Sequence, residues 1–338
     1  MNVVFAILGS VCLLVLDAWA ITGIYNDDVL WFRYLNYFGY YVPFVAIGLL
    51  LVVSTACHSA RQPRLIFLGV FLSALPATVL PWVIIGINPY QAATPSTSDS
   101  QTTETRAEYS FVTFSKMSSN RNFESISELL NCETHTVIAM QETAGLHQYL
   151  KDNPKATTCR YIFPETGSYA LFSRYPIHHT QQFYFGGEFV VDLPDISISV
   201  FTFRLEKSLS HESYQHKNNQ ITIITNALKE TNRPTLIAGD FNATPHNATL
   251  WKFKTVAHYA VPEGMLNQTF TFPANGRRSS IFGPLLRIDH IFYRDMEIND
   301  THVMKSAYGS DHYPVVTHFK ILMQPSKAPI QTGTYKND

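Results

Sequence analysis

The chain has 338 residues, 46% of them hydrophobic, and a formal net charge of −1 at pH 7. That length accommodates two ordinary domains with a substantial core. From residue 107 onward acidic and basic residues number 21 each, a balance that argues against a non-specific nucleic-acid binder, which needs a strong basic field.

The first ninety positions are far richer in apolar residues than the rest. Three stretches, about Val3–Ile24, Tyr34–Ala56 and Leu65–Ile87, reach the roughly 20 residues that cross a bilayer. A cleaved signal peptide is the rival reading of the first stretch, but it lacks a basic leading region and two further spans follow. The loop "CHSARQPR" carries Arg61 and Arg64, whereas "YNDDVLWFR" carries Asp27, Asp28 and only Arg33. The positive-inside rule then puts the amino terminus in the cytoplasm and everything after the third span outside. Tyr34, Tyr37, Tyr40, Tyr41 and Trp82 read as interfacial anchors. Asp17 reads as a snorkelling or neutral carboxyl rather than a functional one. Pro43, Pro76 and Pro81 are expected to kink their spans. The expected membrane domain is residues 1–87.

Residues 88–108, "NPYQAATPSTSDSQTTETRAE", have almost no large apolar side chains and read as a flexible linker. From residue 109 the texture changes. "SFVTF", "TVIAM", "CRYIF", "SYALFS", "SISVFTF", "TLIAGD" and "RIDHIFY" read as strands, being rich in β-branched or aromatic residues and flanked by turn residues. "NRNFESISELLN" and "NNQITIITNALKE" read as helices, with apolar positions three and four apart. The mixture predicts one α/β or α+β sandwich domain over residues 109–323, followed by a polar tail, 324–338. Cys132 and Cys159 fall in this domain, where a disulfide between them is an open alternative to free thiols. They have no metal-ligand spacing with histidine, which argues against zinc.

Several strands stop at polar residues. "TLIAGDFN" ends in Asp240 and Asn242, and ligand sites favour such strand ends. "TVIAMQET" ends in Glu142. "RIDHIFY" places Asp289 and His290 on opposite faces, because strand side chains alternate. "YGSDHYPVV" sets Asp311 and His312 before a further apolar run. Singly, each is better read as a turn or a surface charge. Together and in order they point to a site.

The segments "VIAMQE", "YALFSRYPI", "GDFNATP", "RIDHIFY" and "GSDHYPVV" follow one another as in the endonuclease/exonuclease/phosphatase superfamily, which the domain from Tyr109 to Met323 resembles. The resemblance extends to bacterial membrane-anchored members. It implies an α/β, deoxyribonuclease-like four-layer β-sandwich flanked by helices, here preceded by three transmembrane helices. It also implies roles residue by residue. Glu142 would ligate magnesium or manganese, hard cations that prefer oxygen, and Asp311 would complete the metal or phosphate environment. Asp240 would orient and deprotonate the attacking water, and Asn242 would hold a phosphate oxygen and fix that geometry. Asp289 would set the tautomer of His312, which contacts the phosphate. "SRYPI" is a structural strand and turn.

Two positions depart from the family pattern. Ser115 stands where the family has a metal-assisting asparagine, with Asn120 a nearby substitute. Arg204 stands where the family has a histidine; it binds phosphate bidentately but cannot pass a proton, and His211 lies seven residues on. The expected function is a membrane-anchored extracytoplasmic phosphohydrolase, in a bacterial inner membrane with the hydrolase domain in the periplasm. The alternative is a catalytically weakened domain that binds phosphorylated lipid or nucleotide. The expected partners are the lipid bilayer and a phosphate ester: a phospholipid headgroup, a nucleotide or a nucleic acid. Neither overall charge nor the Arg277–Arg278 pair decides among them. The sequons at Asn242, Asn247 and Asn267 are read as chance, since a glycan on Asn242 would block the site.

Overall fold

The computed structural model describes residues 2–59, 74–86, 107–163, 168–274 and 283–322. The linker expected at 88–108 and the Arg277–Arg278 pair lie almost wholly outside these residues, as does the polar tail.

The amino-terminal part is helical. α1 (Asn2–Ala18) runs into a π-helical turn (Trp19–Gly23), followed by α2 (Leu30–Tyr37), α3 (Val42–Ser59) and α4 (Leu75–Gly86). Three complete spans were expected, and the described residues contain fewer. One helical stretch, Ala6–Gly23, is by itself long and apolar enough to cross a bilayer. The second expected span is broken: α2 and α3 meet at 99°. The break is a turn over residues 38–41, where Gly39 lies against the His246 ring so closely that a Cβ would come within 2.4 Å of it. Packing against the following domain thus overrides the apolar run. The third span is described only from Leu75, and residues 60–73 lie outside the described set. Apolar side chains of α1 such as Ile7, Val11 and Leu14 face outward, more than half exposed. Leu13, Ala46, Val53 and Ala77 pack the helices together.

The domain after residue 107 has two six-stranded mixed sheets packed face to face. Its strands are β1 (Tyr109–Ser115), β2 (Val137–Gln141), β3 (Tyr161–Phe163), β4 (Tyr169–Ser173), β5 (Ile177–Phe183), β6 (Gly186–Asp192), β7 (Ser197–Arg204), β8 (Thr235–Asp240), β9 (His258–Ala260), β10 (Asp289–Arg294), β11 (Met296–Val303) and β12 (Val315–Ile321). The first sheet has the order β11-β12-β1-β2-β4-β3, the second β5-β6-β7-β8-β10-β9. Phe111, Leu171, Phe189, Val200, Leu236 and Ile291 meet between them. Two helices, α5 (Phe123–Leu129) and α6 (Leu146–Asp152), cover the outer face of the first sheet through Ile126, Leu129 and Leu146. The other pair, α7 (His211–Glu230) and α8 (Ala248–Lys254), covers the second sheet through Ile224, Leu228 and Phe253. Helix, sheet, sheet, helix is the expected four-layer sandwich.

Strands buried on both faces, such as β1, β2 and β8, read as the continuous apolar runs expected of them. By contrast β5 exposes five successive residues at a sheet edge, so its sequence "IHHTQQF" has no alternation to read. α7 starts seven residues earlier than its apolar spacing suggests, because Ser210 caps it reciprocally with Ser213.

Candidate active site

In each sheet one parallel pair runs through the centre, β1 with β2 and β7 with β8, and the neighbouring β12 and β10 run antiparallel to it. The carboxyl ends of the parallel strands therefore share one edge with the amino ends of β10 and β12. Ser115, Glu142, Arg204, Asp240, Asp289 and His312 all sit at that edge. Gly239 makes the approach of β7 and β8 feasible there: its φ is +150°, and a Cβ would lie 1.9 Å from the Phe203 carbonyl oxygen.

Asp240 is the hub. It pairs in register with Arg204 on one side and Asp289 on the other. The Asn242 backbone N–H donates to Asp240 Oδ1 at 2.9 Å, and the Asn242 amide donates to Oδ2 at 3.2 Å. The same amide also donates to the Leu205 carbonyl at 2.8 Å. Both amide hydrogens are committed, and Asn242 orients Asp240, in keeping with the geometry-fixing part of the role that the resemblance implies for it. Its φ of +45°, like the +57° of Glu142, is an uncommon value for a residue with a side chain and marks a backbone held for a purpose.

Asp289 accepts from His312 Nδ1 at 2.8 Å, with both side chains buried. Ser310 Oγ accepts the His312 backbone N–H and donates to the Ser115 carbonyl, which ties the histidine loop to β1. Burial by itself depresses the His312 imidazole; the charge and hydrogen bond of Asp289, with the charges of Asp240 and Asp311, override it and raise the group to about 9. Burial pushes the Asp240 carboxyl up to about 6, against the opposing pull of the His312 charge. At neutral pH the pair therefore presents an ionised carboxylate beside an imidazolium.

On the first sheet's side, Glu142 Oε2 accepts from the backbone N–H and hydroxyl of Ser118, both at 2.8 Å. Arg204 Nε lies 2.8 Å from Glu142 Oε1 and 3.4 Å from Asp240 Oδ2, bridging the two carboxylates. Burial would raise the Glu142 carboxyl, but the Ser118 N–H and the Arg204 charge hold it below the usual range.

The remaining sequence candidates divide. Asp311 is half-buried and acts on His312 through its charge. Asn120 does not substitute for Ser115: its amide donates to the Tyr308 carbonyl, bracing the loop before His312. His211 opens α7 and bonds Gln215 at an exposed position. His290, on the opposite face of β10 from Asp289, bonds Tyr259 and the Ala243 carbonyl. Ser118, Ser310 and Lys217 were missed, because serines and a lysine in loops or on a helix carry no sequence signal of where they fold.

A model of the endonuclease/exonuclease/phosphatase family matches residues 117–312, which is more than half of the chain. The chain belongs to that family. A UPF0294 protein of Vibrio campbellii is 28% identical over 152 residues, covering 45% of this chain and 45% of the relative, so the match spans under half of that protein. An endonuclease/exonuclease/phosphatase family protein of Bacteroides thetaiotaomicron superposes with a TM-score of 0.52 at 16% identity, over 65% of this chain and all of its own. The mannosyl-6-phosphatase of the same organism gives 0.50 at 16% identity, over 62% of this chain and 99% of its own. At such identities these two structures show the shared fold.

Family members generally use divalent metals, and the residues present suit one. Carboxylate oxygens of Asp240 and Asp289 lie within 4.8 Å of one another. Asp289 Oδ1 and Ser115 Oγ are buried with no hydrogen-bond partner among the described residues, as expected of oxygens facing a cation or its water. Oxygen donors suit a hard cation such as magnesium.

Proposed function

We propose that this family member is a membrane-anchored, extracytoplasmic, divalent-metal-dependent phosphoric ester hydrolase. The observation that carries the reading is the buried Asp240–Asn242–Asp289–His312 array, which holds two carboxylates and an imidazole in one hydrogen-bonded group. Asp240, held on both oxygens by Asn242, takes the proton of the attacking water. His312, kept protonated by Asp289, donates from Nε2 to a phosphate oxygen as charge develops there. Arg204, 40% exposed, leaves its carboxylates to clamp the incoming phosphate. A bound divalent ion would supply charge neutralisation and polarisation of the ester; Glu142 and Asp289 would hold it, with Asp240 beside it as the base.

Two observations support the location. α1 presents apolar side chains outward along its length. Cys132 and Cys159 form a disulfide, S–S 2.09 Å, as exported domains do. Phospholipid headgroups, nucleotides and nucleic acids are the proposed substrate classes, with the first favoured by the anchor.

One observation favours a second reading, a domain that binds phosphorylated lipid or nucleotide without turnover. Arg204 closes the cation position between Glu142 and Asp240. Assaying the full chain against a panel of phosphodiesters and monoesters, with magnesium and then with chelator, separates the two. Chelator-sensitive release of product supports the hydrolase; saturable binding without release at any metal concentration supports the binder.

A further inference from the structure

The four tyrosines Tyr34, Tyr37, Tyr40 and Tyr41, expected at a membrane interface, all turn toward the hydrolase domain. The Tyr34 hydroxyl donates to the Leu209 carbonyl at 2.8 Å, and Tyr41 donates to the Leu285 carbonyl at 2.8 Å. Tyr40 accepts from the buried guanidinium of Arg287. Tyr37 donates to the carbonyl oxygen of Asn242 at 2.7 Å.

The surrounding segment is built into the domain as well. Asp27, 2% exposed, accepts the Asn247 amide at 3.0 Å and the Ala248 backbone N–H at 2.8 Å, so it caps α8 from the other end of the chain. Thr244 donates its hydroxyl to the Asn36 carbonyl at 2.5 Å. Arg33 donates to the Asp27 and Ser210 carbonyls and lies over the Tyr214 ring. These contacts follow the loop that carries Asp240 and Asn242.

From this seam we infer that Tyr37 is a positioning residue for the active site, acting through the Asn242 peptide. The Asn242 carbonyl receives two donors, Tyr37 and Lys217 Nζ, each at 2.7 Å. The left-handed φ of +45° at Asn242 is a conformation that its surroundings must hold. Fixing the carbonyl fixes the Asn242 backbone, whose N–H and amide hold the two oxygens of Asp240. The helical segment before α3 therefore sets the base of a domain that starts some seventy residues later. The inference rests on the hydrolase reading of that site.

The test compares Tyr37→Phe with Tyr34→Phe in the full chain. Tyr37→Phe removes the donor to the Asn242 carbonyl and a long, 3.4 Å acceptor for the Ser208 backbone N–H, Tyr34→Phe the donor to the Leu209 carbonyl, and only Asn242 belongs to the site loop. Two readouts are taken: kcat and KM on bis(p-nitrophenyl) phosphate with magnesium, and manganese affinity by calorimetry without substrate. Tyr37→Phe is expected to lower kcat about tenfold at unchanged KM and to weaken manganese binding, since small displacements of supporting residues cost this much. Tyr34→Phe is expected to leave both unchanged at a similar loss in Tm. Equal effects of the two variants, or no effect of Tyr37→Phe on either readout, overturn the inference. A wild type that hydrolyses neither this diester nor any member of the ester panel but binds manganese, more weakly only in Tyr37→Phe, sustains the positioning role and refutes the hydrolase reading. A wild type with neither hydrolysis nor manganese binding overturns both.

Discussion

The two sheets contribute unequal halves to the site. The second sheet's half, Asp240, Asn242 and Asp289, is at most 4% exposed and joins the equally enclosed His312, with hydrogen bonds on most polar atoms. The first sheet's half is more open at its rim: Glu142 is 18% and Arg204, which reaches across to it from β7, 40% exposed at the side chain, while Ser115 behind them is fully buried with an unpaired hydroxyl. The enclosed half carries the paired carboxylates and the imidazole, and the other half carries the Glu142–Arg204 ion pair. Burial explains the difference. A buried carboxylate without its partners is costly, so the array stands or falls together, whereas a rim residue can be exchanged at small cost.

The largest effect should come from the enclosed half. Asp240→Asn removes the base and should lower kcat about 10⁴-fold while preserving the fold, measured by steady-state hydrolysis beside circular dichroism. Asp289→Asn should cost about 10²-fold and draw the alkaline limb of the pH profile down, because the imidazolium loses the charge that sustains it. In the wild type the sign is fixed by the two groups. Asp240 acts when ionised, above about 6, and His312 when protonated, below about 9, so kcat should rise through the first value and fall through the second. A profile with no acidic limb would remove Asp240 from the role of base.

The open half should respond more weakly and in a different parameter. Arg204→Met should raise KM about tenfold and tighten magnesium binding, since Glu142 is released from its counter-ion. If kcat instead falls as far as in Asp240→Asn, the contrast between the halves is wrong. Smallest for catalysis is the disulfide behind the first sheet. Replacing Cys132 and Cys159 by serine opens a link between residues 27 apart. It should cost about 3–4 kcal/mol of stability in urea titration, with kcat unchanged where the protein remains folded.

Much of this was legible beforehand. Strands buried on both faces wrote themselves as apolar runs, and each ended on the polar residue the site uses, as at Asp240 and Glu142. Edge strands such as β5 and β11 left no such mark, because neither face needs a pattern when one is solvated and the pairing is one-sided. The broken second span was hidden for a related reason. Residues 34–56 look continuous in hydropathy, and only the fit of Gly39 against His246, 207 positions later, dictates the turn. Likewise Tyr37 has the composition of a membrane anchor, and its bond to Asn242 is a consequence of tertiary docking that local sequence cannot encode. Ser115 and Arg204, singled out from the resemblance, both lie at the site edge. That Arg204 would bridge Glu142 and Asp240 followed only from the register of β7 with β8.

The chemistry of the enclosed array is tested most directly by running the reaction of the full chain, with magnesium, in water enriched in heavy oxygen. If Asp240 activates water for attack at phosphorus, each turnover places one labelled oxygen in the phosphate product and none in the alcohol, and labelling disappears with the rate in Asp240→Asn. Label in the alcohol, or label in the phosphate at an undiminished rate in Asp240→Asn, would contradict it.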